Sequence, residues 1–172
     1  AKVKEKNVID LDFPVKKNIY NLSEYLNKNP ENLVACILDR PRHKEIINEL
    51  KKLKVKIKYI TDGDVSGALL VTDEKYKVDI FLGIGGGPEG VLAASALDAF
   101  DCGFQGRFLF TTDEEKKRAN KMGIDDLTKK YELNEIVSGD SIFCATGITS
   151  GDLVSGIIKE GSEFISETLV TH

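Results

Sequence analysis

The 172-residue sequence has no tryptophan, one methionine, two histidines and three cysteines. Because Cys36, Cys102 and Cys144 are odd in number and lack paired spacing, they fit neither a disulfide framework nor a zinc-ligand motif. The chain also lacks a run of about 18 or more apolar residues, and residues 1–7 do not have the pattern of a signal peptide. We therefore expect a soluble, cytoplasmic protein with reduced thiols and no membrane partner.

A strong excess of charge of either sign is missing as well. The net charge is −4, with 24 Lys and Arg against 28 Asp and Glu. Basic stretches occur at residues 51–58 and 116–118, but short clusters within a mixed sequence are typical of solvated faces. We therefore expect no nucleic-acid partner.

Short apolar runs alternate along the chain with segments of helical periodicity. The runs predict strands at residues 33–38, 55–60, 78–83, 107–110, 141–146 and 164–170. The periodic segments predict helices at residues 18–26, 43–53, 65–70, 90–100, 113–122 and 151–157. This alternation indicates one α/β domain over residues 1–172, a layered sandwich with a largely parallel or mixed sheet flanked by helices.

The most informative segment is residues 80–91, in which an apolar strand runs through Gly85, Gly86 and Gly87 into a helix. Glycines let the backbone approach a ligand closely, and the free N–H groups at a helix start favour an anion. Pro88 fits the first helical position, and Glu89 then places a carboxylate beside this anion site. The juxtaposition predicts a cation between Glu89 and a phosphate. A favourable charge in the first helical turn is the simpler interpretation of Glu89.

The same loop has a competing interpretation. Residues 85–90 match the pattern G-x-G-x-x-G between a strand and a helix, with Asp113 roughly 20 residues further on as the ribose-binding acid of a dinucleotide fold. Pro88 and Glu89 weaken this match because they occupy the place where a pyrophosphate would meet free N–H groups. A nucleotide-binding or regulatory module using this loop remains the alternative.

Two other predicted strands end in charged turns, and the carboxyl ends of parallel strands meet at one edge of a sheet. Arg40 and Arg42 flank Pro41, and their guanidinium groups suit phosphate oxygens. A capping turn with two solvated arginines would also explain them. The turn at residues 62–64 has the sequence Asp-Gly-Asp, whose carboxylates suit sugar hydroxyls, although the sequence is also common in ordinary turns.

Two further features have a simpler structural explanation. Residues 145–152 follow a predicted strand and form a fourth turn that we expect at the same sheet edge. Helix capping by Thr149 or Ser150 explains this segment without a ligand. His43, at the start of a predicted helix, is expected to be a capping or surface group.

Taken together, these segments resemble the class II fructose-1,6-bisphosphatases of bacteria, which belong with the metal-dependent, lithium-sensitive sugar and inositol phosphatases. The resemblance runs from about Val8 to the end of the chain. It rests on four segments in matching order: Arg40–His43, Asp62–Asp64, Gly83–Gly90 and Ala145–Asp152. The long glycine motif is the most specific of them. This chain departs from the usual family pattern by having Arg40 for lysine, Gly87 for alanine and Ser150 for a larger polar residue.

The resemblance implies a reaction and a role for particular residues. The substrate would be fructose 1,6-bisphosphate, hydrolysed at its 1-phosphate with Mn²⁺ or Mg²⁺ as the cofactor. Glu89 would be a metal ligand, and no catalytic residue would lie in this chain. The implied substrate-binding residues are Arg40, Pro41, Arg42, Asp62, Gly63, Asp64 and Gly86.

Members of this family are considerably longer than this chain. Their N-terminal half carries a Glu-Gly-Glu segment and an Asp-Pro-Ile-Glu-Gly-Thr motif, neither of which occurs here. The resemblance thus implies that the chain corresponds to the C-terminal half of a two-domain enzyme, with the N-terminal half as its partner. We expect little phosphatase activity from the chain alone. We also expect a homo-oligomer, since an uncovered apolar face favours association.

Overall fold

The computed structural model describes residues 1–3, 5 and 7–172. Lys4 and Lys6, which belong to the stretch tested above for a signal peptide, lie outside the described residues. The helices are α1 Val15–Tyr25, α2 Lys44–Lys52, α3 Asp64–Leu69, α4 Gly87–Asp98, α5 Asp113–Lys121 and α6 Leu133–Ile136. The strands are β1 Val34–Leu38, β2 Lys56–Ile60, β3 Ile80–Phe81, β4 Gln105–Arg107, β5 Lys130–Glu132, β6 Phe143–Thr146, β7 Ile158–Glu160, β8 Glu163–Ile165 and β9 Thr168–Thr171. Within the described part of the chain, no helix is long and apolar enough to cross a membrane.

The first three strands form a parallel sheet in the order β2-β1-β3. Ala35 on β1 is the register partner of Ile57 on β2 and of Ile80 on β3. The central strand is buried along almost its whole length, as expected for a parallel strand that is covered on both faces. The remaining strands pair in three antiparallel couples, β4 with β5, β6 with β9 and β7 with β8.

Helices cover both faces of the parallel sheet. Neighbouring residues of a strand point to opposite faces, so the contacts of Ala35 and Cys36 show what covers each face. Ala35 belongs to one apolar cluster, which contains Leu22 of α1 and Leu50 of α2. The next residue, Cys36, belongs to a second cluster, which contains Leu69 of α3 and Leu97 of α4. The predicted α/β sandwich with flanking helices is thereby confirmed.

The C-terminal part departs from the predicted elements. The described residues 151–157 form bends rather than the predicted helix, because local bonds fold the segment back on itself. The Gly156 N–H donates to Ser150 Oγ at 3.0 Å, and the Gly151 N–H donates to the Val154 carbonyl at 3.0 Å. The predicted strand at 164–170 is divided between β8 and β9.

Burial distinguishes the three cysteines and leads to a first prediction. Cys36 and Cys102 are buried, whereas Cys144 is exposed on β6. Burial raises the pKa of the Cys36 thiol from 9.0 to about 11; nearby Lys58 lowers this pKa and Asp152 raises it, each by a smaller amount. Since the thiolate is the reactive form, iodoacetamide at pH 8 should modify Cys144 quickly and Cys36 only after unfolding. Peptide mapping by mass spectrometry measures this order. Rapid modification of Cys36 in the native protein would contradict it.

The raised pKa of Cys36 also has a consequence for stability. The thiol of the unfolded chain ionises at its ordinary pKa, whereas the folded chain holds its proton until about pH 11. Between these two values the native state binds more protons, so the free energy of unfolding decreases as pH rises. Below the ordinary pKa the thiol is protonated in both states, so the contribution of Cys36 to the free energy of unfolding is fully present.

Candidate functional site

Three of the four predicted site segments meet at one edge of the parallel sheet. β1 ends at Leu38, β2 at Ile60 and β3 at Phe81. Because the three strands run parallel, the turns that follow them lie side by side at their carboxyl ends. Residues 39–43, 61–64 and 82–89 therefore form one continuous candidate site, which we call the sheet-edge site.

The fourth segment does not join them. Residues 145–152 follow β6, which pairs with β9 in a separate antiparallel couple. Asp152 forms an ion pair of 3.0 Å with Lys58, which lies in the middle of β2 rather than at its end. The expectation that all four turns share one sheet edge is therefore wrong. The pairing of β6 with β9 decides where this segment lies.

The turn after β1 presents the two arginines. Pro41 opens a single 3₁₀ turn, Pro41–His43, which leads directly into α2. Arg40 Nη2 donates to the Thr61 carbonyl and so joins the turns after β1 and β2. Arg42 Nε donates to the Ile84 carbonyl and joins the first turn to the glycine loop. Each guanidinium has five N–H donors, so both arginines keep further donors for an anion.

The Asp-Gly-Asp turn after β2 is shaped by its glycine. Gly63 has a φ of +85°, a left-handed conformation that favours glycine, and it is the N-cap of α3. Asp62 Oδ1 accepts a hydrogen bond of 2.9 Å from the Gly63 N–H. Asp64, the first residue of α3, lies against Gly85, where a Cβ atom would be only 2.8 Å from Asp64 Oδ2. The turn after β2 thus contacts the glycine loop as well.

The glycine loop leads into α4 as the sequence predicts, with Pro88 in the second helical position rather than the first. Gly86 is the N-cap and Gly87 begins the helix. The exposed Glu89 folds its carboxylate back over Gly86, so that a Cβ atom at position 86 would collide with Glu89 Oε2. This arrangement places an anionic group at the start of α4, directly against the backbone of Gly86.

His43 is the residue that sequence reasoning misjudged. It is fully buried, and as the N-cap of α2 it makes no side-chain capping bond. Its Nδ1 lies 2.8 Å from the Leu38 carbonyl oxygen, and its Nε2 accepts a bond of 2.8 Å from the Ile84 N–H. The local sequence, a charged turn followed by an amphipathic helix, gave only a weak indication that His43 is buried. Its burial depends on how β3 and the loop after it pack against the turn.

The described residues do not complete a metal site by themselves. Mg²⁺ and Mn²⁺ are bound through several oxygen ligands. Across residues 1–3, 5 and 7–172, no group of three or more His, Cys, Asp and Glu side chains is close enough to hold a metal ion. The exposed Glu89 carboxylate offers one ligand, and further ligands would have to come from outside these residues.

The geometry does not support a dinucleotide site. In such a fold, the ribose-binding acid ends a strand of the same parallel sheet. Asp113 is instead the first residue of α5 and follows β4, which pairs antiparallel with β5. The parallel neighbour of β3 is β1, which ends far earlier in the chain. The G-x-G-x-x-G match therefore lacks a ribose-binding acid at the end of a neighbouring parallel strand.

Comparison with known proteins agrees with the resemblance found in the sequence. The model of the family described as bacterial fructose-1,6-bisphosphatase, glpX-encoded, matches residues 1–172. Fructose-1,6-bisphosphatase 1 class 2 of Escherichia coli K12 is 37 % identical over 179 residues, covering 96 % of this chain and 53 % of that protein. D-fructose 1,6-bisphosphatase class 2/sedoheptulose 1,7-bisphosphatase of Synechococcus sp. JA-3-3Ab is 34 % identical over 178 residues, covering 96 % and 51 %. The chain spans about half the length of the curated relatives it matches.

Proposed function

Because the chain belongs to the glpX-encoded bacterial fructose-1,6-bisphosphatase family, we propose that it is the substrate-binding part of such an enzyme. The enzyme would hydrolyse the 1-phosphate of fructose 1,6-bisphosphate and release fructose 6-phosphate and phosphate. The observation that carries the proposal is the sheet-edge site, where the arginine turn, the Asp-Gly-Asp turn and the glycine loop are joined by direct contacts of Arg40, Arg42 and Asp64.

The arginine turn is the proposed phosphate clamp. The guanidinium groups of Arg40 and Arg42 each donate a hydrogen bond to a backbone carbonyl of a neighbouring segment. These bonds hold the groups in place before a ligand arrives, which reduces the ordering cost of binding. The remaining N–H donors can bind the oxygens of a sugar phosphate, and Pro41 keeps the backbone between the two arginines rigid.

The other two turns are the proposed sugar contacts. Asp62 and Asp64 are carboxylates at the sheet edge that can accept hydrogen bonds from sugar hydroxyls. Gly63 provides the left-handed conformation that shapes the first of these turns. Gly86 carries no Cβ, so a sugar ring can approach the backbone there when the Glu89 carboxylate turns toward a cation. This assignment makes Asp64 the link between the sugar and the glycine loop, since its carboxylate already lies over Gly85.

Glu89 is the proposed contact between this chain and a divalent cation, Mn²⁺ or Mg²⁺. When bound, such a cation supplies positive charge that stabilises the oxygens of a phosphate under attack. Since the described residues contain no complete ligand set, we propose that the N-terminal half of the enzyme supplies the other ligands. Residues 1–172 would then be a single domain that is active only together with that half.

The proposal predicts that the chain alone binds fructose 6-phosphate and that the arginines dominate this binding. Removing one charged donor group costs roughly 1.5–3 kcal/mol, so Arg40→Met and Arg42→Met should each weaken binding about 10- to 100-fold. Isothermal titration calorimetry measures the dissociation constants. Arg118→Met, which removes an exposed arginine from the last turn of α5, outside the segments of the sheet-edge site, is the matched control and should bind like the parent chain.

The same titration tests the alternative function. If NAD bound to the chain and fructose 6-phosphate did not, the sugar-phosphate site would be refuted and a nucleotide-binding module favoured. Equal affinities in the parent chain and both arginine variants would refute the phosphate clamp alone.

A further inference from the structure

Ile84 immediately precedes the glycines of the loop, and the turn after β1 holds both of its backbone polar groups. Its N–H donates to His43 Nε2 at 2.8 Å. Its carbonyl accepts from Arg42 Nε. Two consecutive residues of one turn, Arg42 and His43, therefore fix the two peptide groups on either side of Ile84, directly before Gly85.

His43 itself is held on its other side. Its ring is fully buried, and Nδ1 lies 2.8 Å from the Leu38 carbonyl at the end of β1. The Leu38 carbonyl can only accept and the Ile84 N–H can only donate, so these two bonds place the proton on Nδ1 and leave Nε2 as the acceptor. Nε2 also lies 3.2 Å from the Ile84 carbonyl oxygen, which accepts its hydrogen bond from Arg42 Nε. The imidazole thus links the end of β1 to the loop after β3, and the Leu38 carbonyl determines which ring nitrogen carries the proton.

We infer that His43 is a positioning residue of the proposed sugar-phosphate site, and this inference rests on the proposed function. Through its bond to Ile84 it sets the place of the glycine loop relative to the turn that carries Arg40 and Arg42. Glycines lose more conformational freedom on ordering than other residues do. A bond that fixes the residue before them lowers the cost of forming the loop around a ligand.

Two substitutions separate this role from simple filling of the core. The Asn amide nitrogen occupies the position of His Nδ1, three bonds from Cα, so His43→Asn keeps the bond to Leu38 and loses the one to Ile84. The Gln amide oxygen occupies the position of Nε2, four bonds from Cα, so His43→Gln keeps the bond to Ile84 and loses the one to Leu38. Each variant lacks one buried hydrogen bond, and both should be less stable than the parent chain.

The inference predicts that the affinity of each variant for the ligand depends on whether it keeps the hydrogen bond to Ile84, and not on how stable the variant is. Titrated with fructose 6-phosphate, His43→Asn should bind about ten-fold more weakly than the parent chain, whereas His43→Gln should stay within about three-fold of it. Urea unfolding of the same samples provides the stability comparison. Amide hydrogen exchange should show faster exchange at Ile84 in His43→Asn than in His43→Gln.

Loss of affinity in His43→Gln, or the same affinity in both variants, would overturn the role of His43. The His43→Gln arm alone can give that result, so the test does not depend on whether the asparagine variant folds. A parent chain that does not bind fructose 6-phosphate would refute the proposed function instead.

Discussion

Glu89→Gln should abolish most of the phosphatase activity of a protein that joins this chain to the remaining half of the enzyme. Glutamine keeps the shape of the side chain and one oxygen but loses the negative charge that a divalent cation requires. Substitution of residues that merely support metal ligands lowers metal affinity or activity roughly 10- to 100-fold. The loss of a ligand itself should therefore reduce kcat by at least about 100-fold at limiting metal concentration.

The measurement is release of phosphate from fructose 1,6-bisphosphate as a function of Mn²⁺ or Mg²⁺ concentration. Glu114→Gln is the matched control, because Glu114 is likewise an exposed carboxylate in the first turn of a helix, α5. It should leave activity unchanged. Binding of fructose 6-phosphate to the isolated chain should be similar in Glu89→Gln and in the parent chain, since the phosphate clamp is intact.

Activity of Glu89→Gln equal to that of Glu114→Gln would show that Glu89 only stabilises the start of α4. That outcome would return Glu89 to the simpler role of a favourable charge at a helix N-terminus. It would leave the arginine turn and the sugar contacts as separate proposals.

The sequence was a good guide to the first half of the fold because its strands are local apolar runs with helices between them. β1, β2 and β3 lie within their predicted ranges, and the glycine motif enters α4 as expected. Once three parallel strands are assigned, their carboxyl ends must share one edge, which brings Arg40, Asp64 and Glu89 into one region. Local pattern and simple topology together were sufficient for this part of the site.

The sequence was a poor guide where structure depends on partners distant in the chain. Val154 and Ile157 have helical spacing, yet bonds such as that between Gly156 and Ser150 fold the segment into bends. Strands β5 and β7 are three residues long and are defined by pairing with β4 and β8. The burial of His43 likewise requires the peptide of Ile84, 41 residues away. No local pattern contains that information.

Leu50→Ala should cause the largest loss of stability among the substitutions considered. Leu50 is fully buried in α2 and packs with Leu33 and Ala35 of the sheet side and with Leu22 of α1. Removing its side chain leaves a cavity where the first helical layer meets the sheet. Such truncations cost about 2–5 kcal/mol, a large part of the 5–15 kcal/mol by which proteins of this kind are stable.

Urea unfolding followed by circular dichroism gives the change, and Lys51→Ala on the exposed face of α2 is the control, expected within about 0.5 kcal/mol of the parent chain. Because α2 begins directly after His43, Leu50→Ala also tests whether the helix anchors the arginine turn. If it does, affinity for fructose 6-phosphate should fall together with stability. A Leu50→Ala chain as stable as the parent would contradict the expected cost of the cavity. Unchanged affinity in a destabilised Leu50→Ala chain would show that the hydrogen bonds of Arg40, Arg42 and His43 hold the sheet-edge site without the packing of α2.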